Sequence, residues 1–212
     1  MTAETVSLKG CQAALAANGF TVYLARDPAH ARQIFFAEIL PEVKTGKVSW
    51  ADSMTMEATG VLAELLSNPE IEMIKTFDPG APREELIERR RQALLTDLFL
   101  TGSNAVTACG KLVNLDMVGN RTGGISFGPK KVVLFVGQNK IVPDLAGAFD
   151  RIRNHAAPLN AKRHNLPTPC AKSGRCHDCS SPMRICNIWS IIDKCFPVGR
   201  IKVVLIEGTY GL

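Results

Sequence analysis

The strongest constraint on this chain is that short apolar runs and helix-forming stretches alternate along most of its length. TVYLA at 21–25, KVSWA at 47–51, EMIKTF at 72–77, KKVVLFVG at 130–137 and RIKVVLIEG at 200–208 each read as strands. Between them LKGCQAALAANGF, AHARQIFFAEILPEV, MTMEATGVLAELLSN and LAGAFDRIRNHAAP carry apolar residues at helical spacing. REELIERRRQALLTDLFL reads as a charged amphipathic helix, although its LTDLFLTG end is strand-like. Asp27 and Pro28 suit the N-cap and first position of one helix, and Asp52 or Ser53 suits the cap of the next. Two parallel strands must be joined by a long crossover, usually a helix, so this alternation predicts an α/β fold with a mainly parallel sheet between helices.

The middle of the chain changes character. AVTACGKLVNLD predicts a hairpin turning at Ala108-Cys109-Gly110, and glycines punctuate the stretch from Gly102 to Gly137. The α/β domain is expected over residues 1–157 and 198–212. Residues 158–197 form a cysteine-rich, basic segment packed on it as an appendage.

The N-terminus lacks the basic head and apolar run of a secretory signal, and no stretch reaches the roughly 18 uninterrupted apolar residues of a membrane span. A cytoplasmic protein without membrane insertion is therefore expected. In a reducing compartment the seven cysteines are expected as thiols or ligands rather than a disulfide framework.

Four of them, Cys170, Cys176, Cys179 and Cys186, fall in TPCAKSGRCHDCSSPMRICN with the spacing C-x5-C-x2-C-x6-C. Four sulfurs can wrap one soft metal or cluster when short loops gather them. The Cys176–Cys179 pair matches a metal-binding knuckle. The second knuckle of a zinc ribbon is missing, and the bacterial ferredoxin spacing is not reproduced. Three readings stand: a bound iron–sulfur cluster or zinc, metal-free structural or redox thiols, and disulfides formed on oxidation. His177 is either a replacement ligand or an ordinary loop histidine. Cys11, Cys109 and Cys195 read as core, with Cys109 in a glycine turn and open to exposure.

Net charge is +5, yet from Arg151 to His177 there are six Lys/Arg residues and no acid, and the rest of the chain carries 19 basic against 20 acidic residues. The local basicity suits a small anionic ligand, an acidic protein partner, or compensation of thiolate charge. Nucleic acid is not an expected partner, because the stretch has no aromatic residue for base stacking.

A second candidate site lies at the glycine-rich loops. Thr101, Gly102, Ser103 and Asn104 follow a strand end, and Ser53 and Thr55 stand at a helix N-terminus, where N–H groups and hydroxyls can meet a phosphate or carboxylate. Asn120 and Arg121 lie beside them, and Arg121 either clamps a carboxylate or pairs with Asp116. The alternative is that Ser53 only caps its helix and the glycines only turn the chain. There is no phosphate loop of the G-x-x-x-x-G-K-[ST] type, no nucleophile elbow and no dinucleotide fingerprint.

Several motifs together resemble the LUD family, the lactate-utilization protein B/C domain. They are Trp50-Ala51-Asp52-Ser53-Met54-Thr55, Thr101-Gly102-Ser103-Asn104-Ala105-Val106-Thr107, Gly110-Lys111-Leu112-Val113-Asn114, Gly119-Asn120-Arg121, Gly128-Pro129, Gly137-Gln138-Asn139-Lys140-Ile141-Val142 and Ala157-Pro158-Leu159-Asn160-Ala161-Lys162-Arg163. The resemblance implies a fold similar to the sugar-isomerase, ribose-5-phosphate-isomerase and CoA-transferase group. It also implies a redox accessory role in oxidation of L-lactate or another organic acid, beside an iron–sulfur partner protein, and it favours iron–sulfur over zinc at the four cysteines. The C type of the family lacks this cysteine segment, and the B type has a longer ferredoxin-like extension absent here. The alternative function is an enzyme or sensor binding an organic acid, sugar phosphate or CoA ester at the glycine-rich loops, with structural cysteines and no cofactor. CoA transferases of similar fold use a glutamate nucleophile, but Glu57, Asp116 and Glu207 do not fall on its motif. A second copy of the chain is a further candidate partner.

Overall fold

The computed structural model describes residues 7–43 and 46–212. The chain runs α1 (Leu8–Ala17), β1 (Thr21–Ala25) and α2 (Pro28–Ile34), which continues through a π-helical turn (Phe35–Ile39) into α3 (Leu40–Glu42). Then follow β2 (Lys47–Trp50), α4 (Met54–Thr59), α5 (Val61–Ser67), β3 (Glu72–Ile74), α6 (Arg83–Gln92), β4 (Leu98–Thr101), β5 (Ala105–Thr107), β6 (Leu112–Asp116) and α7 (Asn120–Ser126). The last part holds β7 (Lys131–Gly137), β8 (Ile141–Val142), α8 (Leu145–Arg151), a π-helical turn (Ile152–Ala156) into α9 (Ala157–Arg163), α10 (Pro169–Ser173), β9 (Ile188–Ile192) and β10 (Ile201–Ile206).

Six strands form one parallel sheet in the order β1-β10-β7-β4-β2-β3. The central strands are buried on both faces, which is why their sequences are continuously apolar rather than alternating. On β7, Val133 and Phe135 pack with α2, α4 and α5, whereas Val132, Leu134 and Val136 pack with α1 and the β5–β6 hairpin. Asp27 caps α2 and Ser53 caps α4, each accepting a backbone N–H. The hairpin turn expected at Ala108-Cys109-Gly110 is present. Gly110 has φ +79°, and a Cβ there would lie 2.6 Å from the Ala14 carbonyl carbon, so glycine lets the turn sit on α1.

The hairpin belongs to a second sheet, β8-β5-β6-β9. β9, from within residues 158–197, pairs antiparallel with β6, so that segment completes a sheet as well as carrying the cysteines. IIDKCFP forms the end of β9 and a turn, and Cys195 within it is buried as expected. The helix expected over residues 83–100 stops at Gln92. Leu98, Phe99 and Leu100 are wholly buried between β2 and β7, and a strand there satisfies the backbone of both neighbours. Residues 120–126, expected as part of a glycine-rich loop, form α7. Among the described residues no helix is long and apolar enough to cross a membrane.

Candidate functional site

In parallel α/β sheets ligands bind beyond the carboxyl ends of the strands, because the loops there diverge and leave a crevice. Here that end holds a cleft of about 410 Å³. Ala51, Asp52 and Ser53 follow β2, Gly102, Ser103 and Asn104 follow β4, Asn120 and Arg121 follow β6, and Lys140 follows β7. α9 closes one side with Asn160 and Arg163, while Leu166 and Ile185 of the cysteine-rich segment add an apolar edge.

Six of the eight residues expected to bind a ligand meet in this cleft: Ser53, Gly102, Ser103, Asn104, Asn120 and Arg121. Thr55 and Thr101 do not line it. Thr55 is fully buried and donates to the Tyr210 carbonyl at 2.8 Å, and Thr101 is fully buried with no partner for its hydroxyl. Most of the six already have hydrogen-bond partners within the protein. Ser53 Oγ accepts from Met56 N at 3.2 Å, and Ser103 Oγ donates to the Ala105 carbonyl at 2.9 Å. A Cβ on Gly102 would lie 2.5 Å from Ser53 Oγ, so this loop closes on the cap only as glycine.

Arg121 is the hub of the network. Its Nε donates to Asp116 Oδ1 at 3.0 Å, Nη1 to Asn114 Oδ1 at 3.1 Å, and Nη2 to Asn104 Oδ1 at 2.6 Å and the Leu115 carbonyl at 3.0 Å. Asp116 Oδ2 in turn accepts Thr122 N at 2.8 Å, which ties α7 to β6. Of the two roles read from the sequence, the structure displays the pairing with Asp116. On the opposite wall Asp52 pairs with Arg163, and His164 Nε2 stands 3.2 Å from the same carboxylate.

Two cations are left over. Lys140 is 5% exposed, and among the described residues its amine has neither an ion-pair nor a hydrogen-bond partner. Burial pulls its pKa down from 10.5 to about 7, with Arg151 and Arg121 adding repulsion. Arg90 lies over the Phe77 ring with Nε buried and unpartnered, and burial together with Arg83 lowers its pKa. Lys140 sits in a quoted motif, GQNKIV, yet nothing in that string distinguishes it from a surface lysine. Its significance appears only once β7 delivers it to the cleft.

The family model of the LUD domain matches residues 8–206. The chain belongs to the LUD family. Among solved structures it is similar to a DUF162 family protein from Deinococcus radiodurans, with 12% identity over 95% of this chain and 96% of that one and a TM-score of 0.51, a likeness of fold. No curated protein matches.

Five of the seven LUD motifs meet at the cleft. WADSMT supplies Asp52 and Ser53, TGSNAVT supplies Gly102 to Asn104, GNR supplies Arg121, GQNKIV supplies Lys140 and APLNAKR supplies Asn160 and Arg163. Sequence segments up to 111 residues apart are brought to hydrogen-bonding distance, as Asp52 and Arg163 are.

The second candidate site of this LUD protein is smaller. Cys170, Cys176, Cys179 and Cys186 all line one cavity of about 30 Å³, with Trp189 on β9 and the guanidinium-bearing Arg153 and Arg184. All seven cysteines are free thiols. Asp178 adopts φ +44° in the Cys176–Cys179 turn and its N–H donates to Cys176 Sγ at 3.3 Å, while the Thr168 hydroxyl lies 3.3 Å from Cys170 Sγ. Arg184 holds the loop by donating to the carbonyls of Cys179 and Cys186, and the Cys186 sulfur beside it raises the guanidinium pKa. Among the described residues no three His, Cys, Asp or Glu side chains are gathered for a single metal ion. His177 is turned to Ser173, 2.6 Å away. Leu115, Ala157 and Ile185 line both this cavity and the cleft, so one layer of side chains separates them.

Proposed function

We propose that this LUD protein binds a small organic anion, such as a carboxylate or a sugar phosphate, in the cleft at the carboxyl ends of its parallel strands. One observation carries the reading. Both side-chain carboxylates that line the cleft, Asp52 and Asp116, are already in ion pairs, whereas among the described residues Lys140 and Arg90 have no acidic side-chain partner. Cations without a counter-charge at the wall of a cleft favour a ligand that brings negative charge. The test is a thermal-shift screen of organic acids, sugar phosphates and CoA esters. Saturating a site at about 100 times Kd stabilises by roughly 2.7 kcal/mol. A melting temperature unmoved by every anion contradicts the reading.

A second reading is favoured by the convergence of four cysteines on one cavity. In it the chain is a redox accessory factor in oxidation of lactate or a related organic acid, with an iron–sulfur centre at Cys170, Cys176, Cys179 and Cys186, and zinc as the alternative metal. The N–H and hydroxyl contacts to the sulfurs and the nearby Arg184 are the kind of surroundings that stabilise sulfur-ligated centres. Anaerobic purification with iron, sulfide and zinc analysis and a visible spectrum tests it. A colourless, metal-free preparation contradicts it and leaves the thiols structural.

A further inference from the structure

Lys140 is an unusual residue to find without a partner. It sits in the tight turn that joins β7 to β8, and its side chain passes inward rather than out to solvent. Buried lysines normally meet a carboxylate, because an isolated ammonium loses its hydration with nothing in return. Among the described residues the side chains around this one supply no such partner. From α8 comes Arg151, which is committed to the carbonyls of Asn139 and Asn104 at 3.1 and 2.8 Å. From α7 comes Arg121, and the β6 carboxylate nearest to it, Asp116, is spent on that arginine. The segment that follows β10 contributes Gly211, and a Cβ there would come within 3.3 Å of the Lys140 amine, so glycine keeps the space beside the amine open. Across the cleft stand Asp52, already paired with Arg163 and beside His164, and Arg90. Among the described residues the amine therefore faces a cleft wall whose unpaired side-chain charge is positive.

We propose that Lys140 is the anchoring group for the anion in this cleft, and that it takes up a proton when the anion binds. The inference rests on the reading of the cleft as an anion site and adds the residue and its pH linkage. A carboxylate beside the amine supplies the missing counter-charge, so the bound state favours the ammonium form that the empty cleft disfavours. Near pH 7 and above, the amine of the empty cleft is substantially neutral. Binding must then draw a proton from solvent. The sign follows directly: below about pH 6 Lys140 is already charged and no proton moves, and above about pH 8 affinity falls close to tenfold per pH unit, because each binding event must first protonate the amine.

The experiment is calorimetric titration of the full chain with acetate, L-lactate and pyruvate, whose own charge is fixed across this range. Each is run at pH 6 and pH 8 in buffers of different ionisation enthalpy, so that the dependence of heat on buffer counts protons. The wild type is expected to take up close to one proton per anion at pH 8 and almost none at pH 6. Lys140→Met is expected to lose binding at both pH values. Lys140→Arg, whose charge does not titrate, is expected to bind without proton uptake, which keeps the test decisive if Lys140→Met fails to fold. Binding by the wild type with no uptake at pH 8 overturns the proposal. So does uptake that persists in Lys140→Arg, since the proton then goes to a group other than Lys140, and so does unchanged binding by a folded Lys140→Met. If none of the three anions binds at either pH, the cleft itself is not a monocarboxylate site and the proposal falls with it, a result separable from binding without a proton.

Discussion

The cleft and the cysteine cavity share a wall but are built in opposite ways. The cavity draws its four sulfurs from one stretch, residues 170–186, held by local contacts such as Asp178 N–H to Cys176 Sγ and Arg184 to two carbonyls. The cleft draws its residues from five separate segments, the ends of β2, β4, β6 and β7 and α9, spread over more than 100 residues of sequence. A site made of neighbours in sequence is set by loop chemistry and can be altered without touching the sheet. A site made of strand ends inherits the rigidity of the sheet, and it can hold groups in states they would not choose in water.

That difference can be broken at several points. The largest expected effect is on pH-dependent stability. Lys140 has a folded pKa near 7 against an ordinary 10.5, so the unfolded chain binds more protons between these values and stability rises with pH across that window. The difference in unfolding free energy between Lys140→Met and the wild type should be on the order of 3 kcal/mol in favour of the variant at pH 7, shrinking toward pH 10. Urea unfolding at several pH values measures it, and a difference that does not change with pH rules out the buried, uncompensated ammonium. Gly102→Ala comes next. Its methyl must displace Ser53 Oγ and lies 3.2 Å from the Phe135 carbonyl, so a loss of about 1–3 kcal/mol is expected, with weakened anion binding. The reactivity of Cys170, Cys176, Cys179 and Cys186 toward a thiol reagent should stay unchanged, and a general rise would mean that the two sites are one cooperative unit. The smallest effect on stability belongs to Arg184→Ala, at roughly 1 kcal/mol or less because the arginine is partly exposed. It should nonetheless raise the reactivity of Cys179 and Cys186 several-fold, since their carbonyls lose the common donor, while leaving the cleft's affinity alone.

The two sites were also legible from the sequence to different degrees. The parallel sheet followed from runs such as KKVVLFVG and RIKVVLIEG, because only strands covered on both faces are apolar throughout. The caps at Asp27 and Ser53 and the turn at Gly110 were readable, since each is decided by residues three or four positions apart. The end of α6 was not readable. Ala93, Leu94 and Leu95 suit a helix, and what turns Leu98–Thr101 into a strand is the pair of neighbours, β2 and β7, that it meets far along the chain. The same holds for β9, whose partner β6 lies about 75 residues earlier. Within the cleft, Ser53, Ser103 and Arg121 were identified by type, but their hydrogen bonds are mostly internal. Lys140 carried no signal in its neighbours, and only the tertiary fold buries it with no ion-pair partner among the described residues.

The central claim is that the cleft of this LUD protein holds the Lys140 amine at a cost to stability in order to take an anion. Melting temperatures of the wild type and Lys140→Met at pH 7, each with and without saturating pyruvate, test it most directly. The account predicts that the variant melts higher than the wild type without ligand, and that pyruvate raises the melting temperature of the wild type only. Equal ligand-induced shifts in the two proteins, or a variant that melts no higher than the wild type, would contradict it.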